Sequence, residues 1–288
     1  MHHESNRDFL QVQDLGADTI RSIVDRAQVL AAAWHGRVMP QPLAGKRVGL
    51  IVDDGGWRNT TAFDLGIQAM GGICVHAPVR FNAAEATADL AKYLDNWFDI
   101  LVVRTRELSA LRELAASADA PVINARTRSN HPCETLGDLA YVRSKRGHLD
   151  GLEVVGVAPD ANILRSWVEA SIALPIKVTQ AYPSDWHVKD LAGPNFTATT
   201  DLDALFDADV IITDCWPDAG RDDRLANYRI SAAILDRCRS DVIFLPCPPV
   251  TRGQEVSADA MSHPACQSPP AKAYLLHAQN ALLEWTVA

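Results

Sequence analysis

Runs such as "RVGLIVD" and "DVIITD" are apolar at nearly every position instead of every second one, and no other feature constrains this chain's fold more. A strand with one wet face alternates. A strand without alternation is covered on both faces, as in a parallel sheet. Eight runs read this way: 47–53, 72–77, 99–104 and 121–125 in the first half, then 152–158, 176–181, 209–214 and 241–247. Between them lie helical patterns such as "TADLAKYLDNW" and "SAAILDRCR", with apolar residues three and four apart. Strand–helix alternation predicts an α/β fold. The strands form two groups of four, separated by a helix from about Cys133 to Arg146 and the loop "GHLDG". The expectation is two doubly wound domains, each a parallel sheet flanked by helices, joined by interdomain helices. The first takes residues 1–147 plus a C-terminal helix, 271–288, and the second takes 148–270. The opening "RDFLQVQDLGADTIRSIVDRAQVLAAAW" reads as one helix capping the first domain, and "KAYLLHAQNALLEWTVA" as another packing back onto it. No fixed-period repeat or low-complexity segment occurs.

Charge narrows the partners. The net charge of −9 repels nucleic acid and anionic lipid, so neither is expected, and an anionic ligand needs a local positive cluster. No stretch is long and apolar enough to span a bilayer, and "MHHESNRDFLQVQDLG" lacks the apolar core of a secretory signal. The six cysteines, at 74, 133, 215, 238, 247 and 266, form no CxxC pair. Reduced thiols in a cytoplasm, with no metal site, are therefore expected. GxGxxG is absent, which argues against a dinucleotide-binding dehydrogenase, and no cofactor is expected.

In open parallel sheets, ligands bind beyond the carboxyl ends of strands, near helix starts. In the first half those ends carry "GGWRNT", Arg104 and "NARTRSNHPCE"; in the second, "PDAN", "TDCWPDAG" and "PCPPVTRG". A cleft edged by these ends is the expected active site. Each segment alone allows two readings. "GGWRNT" is a glycine turn with a surface arginine, or a seat for an anion in which Arg58 adds its fork of donors to free helix-start N–H groups. His131-Pro132 is a helix-start device, or a histidine able to donate to a carbonyl oxygen, with Glu134 one turn in. Asp214 is a helix N-cap, or a carboxylate placed for an ammonium group. Pro248-Pro249 is a stiff loop, one bond of which could be cis, or a rigid mount for Arg252.

Taken together and in order, "DILVVR", "NARTRSNHPCETLGDL", "DVIITDCW" and "CPPVTRGQEV" resemble the aspartate and ornithine carbamoyltransferase family. The likeness runs nearly end to end, from "LAGKRVGLIVD" to the last helix. It implies carbamoyl transfer from carbamoyl phosphate to an amine, with both small molecules as partners, in a homotrimer whose active sites are shared between subunits. By the same resemblance Gly56, Trp57, Arg58, Asn59 and Thr60 would cradle phosphate, with Arg58 as the main side-chain ligand. Arg104 would hold phosphate and the carbonyl oxygen, and His131 would polarise that carbonyl. Glu134, Asn162, Asp214, Asp218 and Pro248 would face the acceptor, Asp214 holding its amino group. Cys247 would sit near the reacting amine, and Arg252 would complete the anion site.

The departures from the family pattern are specific. The phosphate loop keeps the middle arginine and a terminal threonine but loses three hydroxyl or guanidinium groups, and Trp57 adds bulk. Glu134 replaces a glutamine, placing negative charge near a dianion unless its pKa rises or the ligand is more cationic. Pro217-Asp218-Ala219-Gly220 replaces a Ser-Met-Gly ending, Arg128 an acidic or polar position, and Pro159-Asp160 a Gly-Asp start. Pro246-Cys247-Pro248-Pro249 has lost the family's histidine and leucine. Three readings follow. One is a carbamoyltransferase with an amino acid or amine acceptor, ornithine-like or of secondary metabolism. The second is a related transferase acting on a cationic, guanidine-like moiety. The third is a catalytically silent binding protein.

Overall fold

The computed structural model describes residues 7–53, 55–81, 85–217 and 223–288. The chain divides into two compact units: the part up to Ala140 together with Ala273–Ala288, and Tyr141–Lys272. Each is an α/β unit with one parallel sheet. Both divisions fall inside helices, so two helices carry the chain from one unit to the other.

In the first unit β1 (Arg47–Val52), β2 (Ile73–Ala77), β3 (Ile100–Arg104) and β4 (Val122–Arg126) lie in the order β2-β1-β3-β4. Around them run α1 (Ala17–His35), α2 (Trp57–Ala69), α3 (Thr87–Asp95), α4 (Leu108–Ser117) and α5 (Pro132–Arg146). The missing alternation has its expected cause in β3, where Ile100, Leu101, Val102 and Val103 are all fully buried. The edge strand β2 departs from it: Ile73 is 56% exposed and Val75 40%.

The opening segment is not one helix. Helix α1 starts only at Ala17, after Gly16. Before it, Phe9 N–H donates to the Val122 carbonyl and Asn124 N–H to the Phe9 carbonyl, so the chain runs as an extra extended segment along β4. The unpaired edge of β4 outbid local helix propensity there. Helix α1 buries Ile20, Ile23, Val24, Ala27, Leu30 and Ala31 along one face. Arg26 grips Glu284 bidentately (2.8 and 3.0 Å), joining α1 to α8 (Ser268–Val287).

Also on α8, His277 is 2% exposed, within 6.2 Å of His35 and edge-on to Trp34 and Tyr274. Burial, and then the charge of His35, pull its pKa down from 6.5 to about 4. An unfolded chain takes up this proton as pH falls through 6.5, while the fold resists until about 4. Stability is therefore lost with acidification across that window. Asp8, raised to about 6 by burial, works the other way, stabilising at low pH and losing that contribution as pH rises through 6. His277→Phe is expected to flatten the acid-side fall of the urea midpoint between pH 6.5 and 4; an unchanged slope would contradict the assignment.

The second unit has five strands, not four: β5 (Glu153–Val157), β6 (Lys177–Ala181), β7 (Phe196–Thr199), β8 (Val210–Thr213) and β9 (Ile243–Pro246), in the order β7-β6-β5-β8-β9. The unforeseen strand is β7, "FTAT". At the sheet edge it is half exposed and threonine-rich, so it lacks the apolar run that marks the others. Helix α6 covers Asn162–Ala173, and the pattern "SAAILDRCR" yields only the short α7, Ala232–Leu235. Among the described residues no helix is long and apolar enough to cross a membrane.

Sheet order sets where ligands can sit. In the first unit the chain passes from β1 outward to β2, then returns to place β3 on the other side of β1. In the second it leaves β5 for β6 and β7, then returns to β8 beside β5. The strand ends at these reversals, β1 with β3 and β5 with β8, open the crevices where doubly wound sheets bind ligands.

Candidate active site

At the β1/β3 reversal stand the glycine turn and Arg104. The register pairs Val52 with Arg104, and Asp53 N–H donates to the Arg104 carbonyl (2.9 Å). Arg104 is 8% exposed, and its Nε donates to the Gly55 carbonyl (2.5 Å). Gly56 adopts φ 150°, ψ 57°, and a Cβ built there would overlap the Arg104 guanidinium. Glycine is required at 56 because an arginine lies against its backbone.

Helix α2 begins at Trp57, so residues 57–60 are its first turn. Their side chains divide. Trp57 is 68% exposed, and the Arg58 guanidinium lies 5.0 Å from its ring centroid, a cation–π pair at the surface. Asn59 turns inward: it is 3% exposed and its Nδ2 donates to the Ala125 carbonyl (3.2 Å). The Thr60 hydroxyl donates back to the Trp57 carbonyl (3.2 Å). Asn59 and Thr60 thus spend their side chains inside the unit, and the donors this turn presents outward are first-turn backbone N–H groups and Arg58.

A network that sequence reasoning missed fixes the β4–α5 corner. Asn124, Thr127 and Asn130 are each fully buried. Asn124 Nδ2 and Thr127 Oγ1 both donate to Asn130 Oδ1 (2.8 and 2.7 Å), and Asn130 Nδ2 donates to the Leu10 carbonyl (3.0 Å). Of the interleaved arginines, Arg126 is half-buried while Arg128 is exposed and pairs with Glu107 at 3.5 Å. This alternation, visible as N-x-x-T-x-x-N, was the available signal. It leads the chain to His131, whose carbonyl receives the N–H groups of Glu134 and Thr135 and so starts α5. Glu134, in the first turn, is 6% exposed.

In the second unit Asn162 opens α6 directly after β5. Its loop is held by Arg165, which grips Asp160 bidentately (2.5 and 2.9 Å) and reaches Asp190 (2.6 Å). Those partners hold the guanidinium proton still tighter than usual. Gln180, fully buried, donates to the carbonyls of Ala158 and Trp186 (both 2.9 Å) and locks the end of β5. Neither Arg165 nor Gln180 was singled out from sequence.

Asp214 follows β8, half-buried, and its Oδ1 accepts from Cys215 N–H (2.7 Å). No helix starts through Pro217, so the N-cap reading of Asp214 falls. Cys247 N–H donates to the Thr213 carbonyl (3.0 Å), which sets Cys247 beside the end of β8. Cys215 Sγ lies 3.2 Å from the Pro249 carbonyl, and the Pro248-Pro249 bond is cis. Arg252 is exposed on a loop held by Glu255, a 2%-exposed acid whose Oε1 accepts from Thr251 N–H (2.6 Å) and whose pKa is raised by burial. Asp218 lies outside the described residues. Asn162, Asp214, Cys247 and Pro248 thus share the carboxyl ends of neighbouring strands, as Gly56, Arg58, Arg104 and His131 do in the first unit.

A groove of about 640 Å³ in the second unit opens elsewhere, at the amino end of β9 and lined also by α5. Two of its cations, Arg146 and Arg239, are paired with Asp209 and Asp241.

Two doubly wound α/β units, each with polar side chains gathered at its sheet reversal, define the class as a two-domain α/β protein built to meet small polar ligands at strand ends. Residues 7–144 match the family description "Aspartate/ornithine carbamoyltransferase, carbamoyl-P binding domain", and residues 150–286 match its "Asp/Orn binding domain". An ornithine carbamoyltransferase of Nitrobacter winogradskyi is 31% identical over 97% of this chain and 96% of its own length; one of Rhodopseudomonas palustris is 30% identical over 99% and 98%. The solved ornithine carbamoyltransferases of Burkholderia thailandensis and Pyrococcus furiosus superpose with TM-scores of 0.90, each at 26% identity, covering 98% and 97% of this chain and 98% and 96% of theirs. The chain belongs to the aspartate/ornithine carbamoyltransferase family.

Proposed function

We propose that this protein transfers the carbamoyl group of carbamoyl phosphate to the amine of an ornithine-like amino acid. The observation that carries the reading is Arg104, buried at the sheet reversal and bound to the glycine turn that opens α2. In this reading the N–H groups of the first turn, Arg58 and Arg104 hold the phosphate, with Arg252 adding positive charge. His131 donates to the carbamoyl oxygen as it gains charge. Asp214 orients the acceptor's amine, and Asn162 and Pro248 line the acceptor's place beside Cys247. The neutral amine attacks the carbonyl carbon, a nitrogen–carbon bond forms, and the carbon–oxygen bond to phosphate breaks. The departing phosphate takes the amine's proton, so no separate base is needed. The rate comes from contact between the two substrates and from donors already in place.

The assembly we propose is a homotrimer. It is supported by apolar side chains exposed on α2 and β2 of the first unit: Trp57, Leu65 (48%), Ile73 and Val75. Light scattering should read three chain masses.

A second reading rests on Glu134. A nearly buried carboxylate in the first turn of α5 suits a cationic, guanidine-like group better than a carbamoyl amide beside a dianion. One experiment separates the two. The purified protein is given carbamoyl phosphate and a panel of amines that includes ornithine, shorter diamino acids and aspartate, and products are weighed by mass spectrometry. A carbamoyl mass gain supports the first reading; no gain, with no calorimetric binding of millimolar carbamoyl phosphate, supports the second or a silent binder. Arg58→Ala is expected to lower turnover by about 10²–10³-fold, the usual loss on removing one charge-stabilising donor. Wild-type turnover in that variant would remove Arg58 from the phosphate grip.

A further inference from the structure

On the first unit, away from the β1/β3 reversal, three side chains of metal-ligand type converge: Asp64 from α2, and Cys74 and His76 from β2. Residues two apart on a strand share a face, so Cys74 and His76 both turn toward α2 while Ile73 and Val75 turn away. Their candidate ligand atoms, one sulfur, one ring nitrogen and one carboxylate oxygen, lie within 4.8 Å of one another. His76 Nε2 and Asp64 Oδ2 are already 3.2 Å apart. A tetrahedral zinc with bonds of about 2.0–2.3 Å sets ligand atoms roughly 3.3–3.7 Å apart, so the set closes on such an ion with movements of about 1 Å.

We propose that Asp64, Cys74 and His76 form a binding site for a borderline divalent transition metal, zinc foremost, that pins the edge strand β2 to α2. The donor chemistry selects the ion class: thiolate and imidazole exclude calcium and magnesium, which take oxygen ligands. Charge agrees, since a thiolate and a carboxylate neutralise a dication. The outer contacts agree too. Gln68 Nε2 donates to Asp64 Oδ1 (2.7 Å), which leaves Oδ2 facing the histidine, as partners behind a metal ligand do. Without metal the thiol is pushed up to about 12 by burial and by the charge of Asp64, and it donates to that carboxylate. A dication at this point reverses the balance: the thiol proton leaves to solvent and the ion takes its place. The proposal does not rest on the carbamoyl-transfer reading, because none of the three residues belongs to that site.

Cobalt(II) titration of the full-length protein tests it. The expected result is one equivalent per chain, a near-ultraviolet thiolate-to-cobalt charge-transfer band, and displacement of cobalt by zinc. Cys74→Ser should lose the band. His76→Gln, whose side chain is 59% exposed and so tolerates exchange without unfolding, should weaken cobalt binding roughly tenfold or more. Zinc should raise the urea midpoint of the wild type and not of His76→Gln. Absence of the band at stoichiometric cobalt, or its survival in Cys74→Ser with loss in Cys215→Ser, would overturn the assignment.

Discussion

Gly56→Val is expected to lower kcat/KM for carbamoyl phosphate by about 10²–10³-fold while leaving most of the fold intact. Two effects act together. At φ 150°, ψ 57° the backbone of residue 56 is where a β-branched side chain is strained. The new Cβ would also fall on the Arg104 guanidinium, which sits 8% exposed with Nε fixed on the Gly55 carbonyl. The guanidinium must move by an ångström or more, and a displacement of that size at a reacting centre is enough for about a 10²-fold loss. The adjacent Gly55→Ala is the comparison: a Cβ there meets nothing within 4 Å, so its loss should be far smaller. The unfolding free energy of Gly56→Val, read from urea titration, should fall only by the cost of one strained residue, about 1–3 kcal/mol. If both variants turn over alike, Arg104 is not part of the anion grip.

The parallel sheets were legible because their central strands are apolar at every position, a pattern that only two-sided burial explains. The same rule hid β7, whose half-exposed threonines look like loop. It also overstated β2, whose outward Ile73 and Val75 are apolar without being covered. At the candidate site, glycines, arginines and prolines were readable because their special geometry or charge shows in one dimension. What could not be read was how each polar side chain is spent. Asn59 and Thr60 look like ligand donors in the string and prove to be engaged with backbone carbonyls of their own unit. Conversely Asn124, Thr127 and Asn130 look like ordinary loop polarity and form a buried lock. Gln180 and Arg165 reach Ala158 and Asp190, distant in sequence, so nothing near them in the string marks them, and Glu255 holds Thr251 four residues before it in a way that only its burial reveals.

Asp214→Asn carries the second large effect, and it separates acceptor from donor. The carboxylate stands where β8 ends, next to β5 on one side, through the Val157–Thr213 pairing, and next to Cys247 on the other. Its Oδ1 already accepts from Cys215 N–H, which fixes its direction. Asparagine keeps the size and can keep that bond, so the loop should hold its shape. What it loses is the negative charge that orients an amine. A charge-assisted hydrogen bond is worth about 1.5–3 kcal/mol, and each 1.36 kcal/mol is roughly tenfold. The expected result is therefore a fall of about 10²-fold in kcat/KM for the amine at saturating carbamoyl phosphate. Calorimetric affinity for carbamoyl phosphate itself should stay within about twofold, because an uncharged isostere leaves the anion grip of the first unit untouched. A variant that loses donor affinity and acceptor turnover equally would place Asp214 in the anion's surroundings. One that loses neither would mean that another group holds the amine, and the nearly buried Glu134 would then be the next to replace.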